Sequence, residues 1–269
     1  MSGLPVIACE GAPRALGLDQ GAACAEAIRA RVARAGGRRA GLGRWRPFEP
    51  GALARARATA RDVRRHFPHL DERVIGLARG ARVPELALHH LLARELGPEG
   101  EGASLGAGSD AEGRIVLHPA LRGILRRSQP DTGFSSAEWT LPWLPGALAG
   151  VNRAGLAGAV APAGGDGADG FAAPAFLLLQ NCLQQFETVE NAIEWCERRP
   201  AGGQARLVFA DPTGARAQVV LEESKRFRAE IAPAAPEPST GCIVADAAAG
   251  LLRTLGADGE KALSPPADR

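Results

Sequence analysis

The side chains best suited to metal chemistry are four histidines within one short stretch: His66, His69, His89 and His90. Imidazole nitrogens are common zinc ligands, and a metal that they held could activate a water molecule. Their spacing argues against such a site, because neither an H-x-x-x-H nor an H-E-x-x-H pattern occurs. Neighbours on a helix, such as His89 and His90, also point about 100° apart. The sequence therefore predicts surface or core histidines and no metal.

An Asp-Gly tract at residues 162–170 and five cysteines are the other candidates for ion or thiol chemistry. The tract alternates aspartates with glycines but lacks the bidentate glutamate of a calcium loop, so we predict a flexible linker. The cysteines are odd in number and include no C-x-x-C pair. This pattern predicts reduced, buried thiols instead of a zinc site or a disulfide framework. No cofactor is predicted.

Charge and hydropathy limit the classes of partner. The 32 basic and 30 acidic residues nearly balance, and the arginines that dominate the first 97 residues are not interleaved with aromatic side chains, so no nucleic-acid binding is predicted. No run of 18 apolar residues and no signal-peptide pattern occurs, which predicts a cytoplasmic protein without a membrane partner. The basic residues include only two lysines, and tyrosine is absent, a bias typical of a GC-rich bacterial genome.

The elements that would position these side chains begin with a mainly helical region, residues 1–97. Hydrophobic periodicity, with prolines and glycines at the boundaries, predicts where each element begins and ends. The predicted elements are a short strand at 3–10 and helices at 14–35, 51–66, 70–81 and 84–96.

Residues 98–232 show a mixed α/β pattern, which we predict to form one compact domain with the first region. The predicted elements are a hairpin at 101–118 with its turn at 110–113, an irregular segment at 121–142, a hairpin at 143–161, helices at 174–186 and 189–198, and strands at 207–211, 216–221 and 226–231. Residues 233–269 are rich in Ala and Pro and are predicted to be a tail with a weak helix at 245–255 and a disordered end.

Five short motifs occur along the chain in a recognisable order. They are Pro13-Arg14-x-x-Gly17-x-x-x-Gly21, the helical segment 72–95, Gly150-x-Asn152-x-x-Gly155-Leu156, the helix pair 177–192, and Leu207 to Gly214. This order resembles the acyl-coenzyme A:6-aminopenicillanic acid acyltransferase family, autoprocessing cysteine peptidases of the N-terminal nucleophile (Ntn) hydrolase superfamily. The resemblance extends to about residue 231. It implies an α+β fold, a four-layer αββα sandwich preceded by a helical region.

The resemblance also implies where a nucleophile should be. Members of that family cleave a Gly-Cys bond and use the released cysteine, whose new α-amine can act as its base near neutral pH. In this chain the residue after Gly102 is Ala103. Because alanine has no heteroatom, it can neither attack the peptide bond nor form an acyl-enzyme.

Other family features are missing too. Residues 117–121 lack the expected carboxylate, Val160-Ala161 and Arg206 stand where asparagines are expected, and residues 239–243 lack a His-x-Asn-His segment. We therefore expect a catalytically degenerate chain that stays unprocessed. Its role would be to bind a small molecule in the vestigial cleft, or a partner such as a second copy or an active paralogue.

The alternative is an active amide hydrolase or acyltransferase that uses Ser104. Cleavage between Ala103 and Ser104 would create a serine nucleophile, with Asn152 or backbone amides as oxyanion donors. The missing carboxylate and asparagines argue against this reading, and an asparagine at a hairpin turn is expected for backbone reasons alone. Whether the chain is an enzyme is thus left open by the sequence.

Overall fold

Two β-sheets and a set of helices make up the described part of the chain. The computed structural model describes residues 4–35, 50–95, 106–119, 122–162, 173–222, 225–229, 241–256 and 259–267. In chain order the elements are β1 (Val6–Gly11), α1 (Pro13–Ala23), α2 (Ala25–Ala35), α3 (Pro50–His66), α4 (Pro68–Ala81), α5 (Glu85–Glu95), β2 (Gly106–Ser109), β3 (Ile115–His118), β4 (Ile124–Pro130), β5 (Ser136–Thr140), β6 (Ala149–Asn152), β7 (Ala157–Pro162), α6 (Phe176–Gln185), α7 (Val189–Arg198), β8 (Ala205–Ala210), β9 (Arg216–Glu222), β10 (Lys225–Ala229), β11 (Ile243–Asp246), β12 (Leu251–Gly256) and β13 (Gly259–Leu263).

The large sheet has the strand order β1-β4-β5-β6-β7-β8-β9-β10. Its strands pair antiparallel except for β1, which runs parallel to β4 with Cys9 opposite Ser128. The first strand of the chain is thus separated from its partner β4 by five helices along the sequence. A parallel pair needs a long crossover connection, and these helices supply it.

The small sheet has the order β13-β12-β11-β3-β2 and packs face to face on the large sheet. Ile115 and Leu117 of β3 and Ile243 of β11 belong to the main hydrophobic core between the sheets. Val116 and Val244 alternate with them onto the outer face, where they too are buried.

Helices α6 and α7 pack on the large sheet, and α1 lies against β1 and β4. Helices α1 and α6 cover the same face, because Gln20 and Gln180 both reach the side chain of Arg126. The fold is therefore mixed, in agreement with the α+β class predicted from the sequence. None of the described helices is both long and apolar enough to cross a bilayer.

Helices α1 and α4 touch through glycines on both sides of their contact. A Cβ on Gly17 would lie 2.0 Å from the carbonyl oxygen of Arg73, and one on Gly76 would lie 2.0 Å from that of Arg14. Gly21 and Gly80 meet the opposite backbone at 2.4 Å in the same way. The glycines of the first sequence motif thus serve helix packing, since no larger residue lets two backbones come this close.

The single helix predicted at 14–35 is wrong in one respect. It is two helices, α1 and α2, separated at Cys24, whose φ of −108° and ψ of 16° depart from helical values. Cys24 is buried and alanines flank it, so neither proline nor an exposed polar residue marks the break in the sequence.

The irregular segment predicted at 121–142 is also wrong, because it contains β4 and β5. The buried helix-facing positions of both strands, all but Ile124, are polar or charged: Arg126, Ser128, Ser136, Glu138 and Thr140. A buried strand is normally a run of apolar residues, so the polar residues at these positions prevented the prediction of the two strands.

The weak helix predicted at 245–255 is wrong as well. Ile243–Asp246, Leu251–Gly256 and Gly259–Leu263 form β11, β12 and β13, and β11 pairs with β3. Alanine-rich composition favours a helix locally, but pairing with β3 and burial against the large sheet outweigh that preference. The described part of the predicted tail is thus a component of the small sheet.

Candidate functional site

The residues that the family resemblance singles out for the nucleophile, Gly102, Ala103 and Ser104, lie outside the described residues. Their predicted roles stay predictions. The hairpin that follows them is confirmed, with β2 and β3 joined by a turn in which Arg114 donates to Asp110 at 2.8 Å.

Asn152, the candidate oxyanion donor, lies at the end of β6 and is fully buried. Its Nδ2 donates to the carbonyl oxygens of Leu183 at 3.0 Å and Phe186 at 2.7 Å, and its Oδ1 accepts from the backbone N–H of Leu156 at 2.9 Å. These bonds fasten the β6–β7 hairpin to the end of α6. An oxyanion role stays a prediction, and it would require the amide to release both carbonyls.

A buried ion pair joins β4 and β5 on the helix-facing side of the large sheet. Arg126 Nε donates to Glu138 Oε2 at 2.5 Å, and neither side chain is exposed. Gln20 of α1 accepts from Arg126, while Gln180 of α6 accepts from Arg126 at 2.9 Å and donates to Glu138 at 2.8 Å. Hydrogen bonds therefore connect four elements, β4, β5, α1 and α6, through the polar core between helices and sheet.

Arg73 of α4 is a second buried cation beside this pair. Its Nη2 donates to Ser128 Oγ at 2.8 Å, whereas Nε and Nη1 have no hydrogen-bond partner among the described residues. Burial, and then the neighbouring Arg126, lower the pKa of Arg73 to about 10, so the guanidinium is still charged at neutral pH. A buried cation whose donors are unpaired is costly, because its lost hydration is not replaced.

The charges of this cluster do not cancel. Burial by itself raises the pKa of Glu138, but Arg126, Arg73 and hydrogen bonds hold it below its ordinary value, so the carboxylate is ionised. Burial raises the pKa of the nearby Cys9 thiol despite the two arginines, so the thiol is neutral. Glu138 balances Arg126, and the positive charge of Arg73 is left without a counterion within the described part of this core.

A cavity of about 300 Å³ opens beside Arg73, between α1, α4, α6 and the turn from β4 to β5. The turn residues 131–133 are exposed, whereas Arg73 is 1% exposed, so the cavity runs inwards from the turn to Arg73. Its size is at the lower end of the range for small-molecule pockets, about 300–1,000 Å³. Its other walls include apolar Leu16 and Leu70 and polar His69 and Gln184.

His69 adds a neutral polar group to the cavity. Its Nε2 is buried and has no hydrogen-bond partner in the described residues. Burial, and then the charge of Arg73, lower the pKa of His69 below its ordinary value. A neutral imidazole can donate from one nitrogen and accept at the other, so it suits the uncharged part of a ligand.

The four histidines do not converge. The metal-ligating groups that come together among the described residues are Asp71, Glu85 and His89, within 4.8 Å of one another. Arg64 already donates to Asp71 at 2.9 Å and lies 3.4 Å from Glu85. Because a guanidinium occupies the place of a cation, this cluster is best explained as an ion-pair network that joins α3, α4 and α5.

A second cavity, of about 340 Å³, lies where the C-terminal segment 264–267 crosses β1 and β4. Two hydrogen bonds hold that segment in place: Ser135 Oγ donates to the carbonyl oxygen of Pro266 at 2.8 Å, and Gln129 Nε2, in the cavity wall, donates to that of Ala267 at 3.1 Å. All five cysteines are described, are buried and form no disulfide, as the sequence predicts. The second cavity is lined by one acidic and one basic side chain, Glu10 and Arg127, so its charges balance.

Sequence reasoning missed the residues around the first cavity. Arg73 and His69 lie in a helix rich in charged residues, and Arg126 and Glu138 lie in the segment predicted to be irregular. A usable signal was the alternation of polar and apolar residues at 136–140, which has the period of a strand. No protein-family model matches the sequence, and no curated protein matches it significantly.

Proposed function

We propose that the protein is a cytoplasmic, non-catalytic scaffold of the Ntn-hydrolase type that binds a small molecule. In this proposal the chain keeps the four-layer αββα architecture of the family that it resembles and is not cleaved. The observation that carries the binding role is the pair of unpartnered donors on buried Arg73, at the wall of a cavity.

Two packed sheets with helices on the large one support the proposed architecture. Burial of Val116 and Val244 is what a covered outer face of the small sheet would produce. Commitment of Asn152 to backbone carbonyls favours a structural role over a catalytic one. The cavity favours a small molecule over a partner chain, because its volume of about 300 Å³ suits a small molecule and its lining includes the buried side chains of Leu16, Leu70 and Arg73.

The mass of the purified chain tests the unprocessed state. We expect one species near 27.9 kDa under denaturing conditions, since Ala103 cannot attack the preceding peptide bond. Two fragments that meet at residue 103 or 104 would contradict the proposal. If the wild-type chain does form fragments, the Ser104→Ala variant identifies the cause. A variant that stays intact would show that Ser104 is the nucleophile, whereas a variant that is still cleaved would point to a contaminating protease.

Native mass spectrometry of the same preparation tests the binding role. We expect a bound small molecule, or an increase in melting temperature when suitable compounds are added. A chain that arrives empty, shows no shift with any compound and hydrolyses amides would instead support the enzyme alternative.

A further inference from the structure

We propose that the cavity beside Arg73 is specific for the carboxylate group of a small monoanionic molecule. This inference rests on the proposed binding function and adds the chemical class of the ligand. It follows from the charge of the buried core, the donors that are left unpaired, and the make-up of the cavity walls.

Charge is the first step. Arg126 and Glu138 neutralise each other through a direct hydrogen bond, and Arg73 has only the neutral hydroxyl of Ser128 as a hydrogen-bond partner in the described residues. One negative charge placed next to Arg73 would make the buried core neutral. A dianion such as phosphate would leave an excess negative charge close to Glu138, which low dielectric surroundings penalise.

Donor geometry is the second step. A carboxylate has two oxygens and can accept from more than one guanidinium nitrogen, which makes arginine well suited to hold it. Arg73 keeps Nε and Nη1 unpaired, and Ser128 fixes the guanidinium from the sheet side. An amide of the same shape brings no charge and replaces one oxygen by an NH₂ group that cannot accept.

The walls define the rest of the ligand. Leu16 and Leu70 offer apolar contact, whereas His69 and Gln184 offer hydrogen bonds to a neutral polar group. Asp131 lies at the exposed turn and would repel a second negative charge near the entrance. The ligand class is therefore a compact molecule with one carboxylate and a partly apolar body.

Matched probe pairs can test this with the full-length chain. Calorimetric titration would compare hexanoate with hexanamide, benzoate with benzamide, and N-acetylalanine with its amide, together with inorganic phosphate at pH 8. We expect at least one carboxylate to bind roughly 10- to 100-fold more tightly than its amide, since hydrogen bonds to charged groups carry this much selectivity. Phosphate should bind more weakly than that carboxylate.

Variants of Arg73 assign the selectivity to this cavity. Arg73→Met should abolish the preference for carboxylate over amide, and Arg73→Lys should keep part of it because the charge is retained. Arg79→Gln, on the exposed side of the same helix, should leave the preference unchanged. If Arg73→Met does not fold, the wild-type probe pairs still decide the question.

Three results of the titrations would overturn the inference. They are equal binding of amides and carboxylates, tighter binding of phosphate, and no binding of any carboxylate by a preparation that native mass spectrometry shows to be empty. A co-purified ligand without a carboxylate would do the same. None of these results contradicts binding of some other small molecule. Chain cleavage or amide turnover, in contrast, would contradict the proposed function, and the preference for carboxylates could still be measured.

Discussion

Arg126 and Glu138 face each other across β4 and β5 as an ion pair at 2.5 Å, and solvent reaches neither side chain. Helices α1 and α6 each contribute one glutamine to the pair. Removing one partner of such a pair costs far more than replacing both, because the other charge is left buried and unpaired. This relationship makes the core between helices and sheet sensitive to single changes of charge.

Glu138→Gln should therefore destabilise the protein strongly. Arg126 and Arg73 would then be two like charges in a buried space without a counterion, and we expect a loss of roughly 3–5 kcal/mol in the free energy of unfolding. Urea unfolding followed by circular dichroism measures it. The control is Glu194→Gln, which removes an exposed pair with Arg198 and should change stability by less than about 0.5 kcal/mol. Similar values for both variants would contradict the interpretation.

Gly76→Ala should disrupt the contact between α1 and α4. The added methyl group would lie 2.0 Å from the carbonyl oxygen of Arg14, so the helices must move apart, at a cost of roughly 1–3 kcal/mol or more. Gly51→Ala is the matched control, because Gly51 lies in an exposed turn of α3 and its methyl group would meet only the end of Arg55 at 3.8 Å. It should stabilise the protein by up to about 1 kcal/mol. Thermal unfolding of both variants gives opposite signs if the contact is as described.

Asn152→Ala should destabilise the contact between the β6–β7 hairpin and α6. The change leaves the carbonyls of Leu183 and Phe186 and the N–H of Leu156 without their present partners. We expect a loss of about 2–4 kcal/mol, since each buried group that loses its partner costs roughly 1–3 kcal/mol. Asn191→Ala, at an exposed position of α7, should have little effect. A variant as stable as the wild type would mean that the amide is free for another task.

Stability should fall as the solution becomes acidic. Burial lowers the pKa of His69 and of His90 from the ordinary 6.5, so the unfolded chain takes up these protons first. The two histidines contribute fully to the free energy of unfolding above about pH 6.5. This contribution is lost as the pH falls through their lower pKa values in the folded state. Glu138 also has a lowered pKa, and its contribution disappears at more acidic pH, below its ordinary 4.5.

The pH dependence can be measured as the free energy of unfolding from pH 7.5 to pH 4. We expect a decline that begins near pH 6.5 and steepens near pH 4. His69→Gln should reduce the decline in the free energy of unfolding between pH 6.5 and pH 5. A curve that stays level between pH 7 and pH 5 would show that these imidazoles are not buried as neutral groups.

The helices were the easiest part of the fold to predict. The predicted bounds of α7 agree with the structure, and Thr188 caps it by accepting from the backbone N–H of Asn191 at 3.4 Å. Capping residues and periodic apolar positions are local signals, so one stretch of sequence contains them entirely. The β6–β7 hairpin, whose turn follows Asn152, was predictable for the same reason.

The site was harder to predict because its parts come from four distant segments. Gln20, Arg73, Arg126 and Gln180 converge only after β1 pairs with β4 and α1 packs on α4. No spacing rule relates such residues, and each one alone resembles an ordinary surface side chain. The strands of the C-terminal region were not predicted for a similar reason, since pairing with a strand more than a hundred residues earlier decides their conformation.

The glycine contact between α1 and α4 also bears on how a ligand would be admitted. Helices whose backbones already touch cannot roll or slide over each other without collision, so the floor of the cavity is rigid before anything enters. Little conformational entropy is then lost there on binding, which favours affinity through preorganisation. The exposed residues of the cavity lining are those of the turn around Gly133 and Gln185 at the end of α6, so a ligand would enter between them.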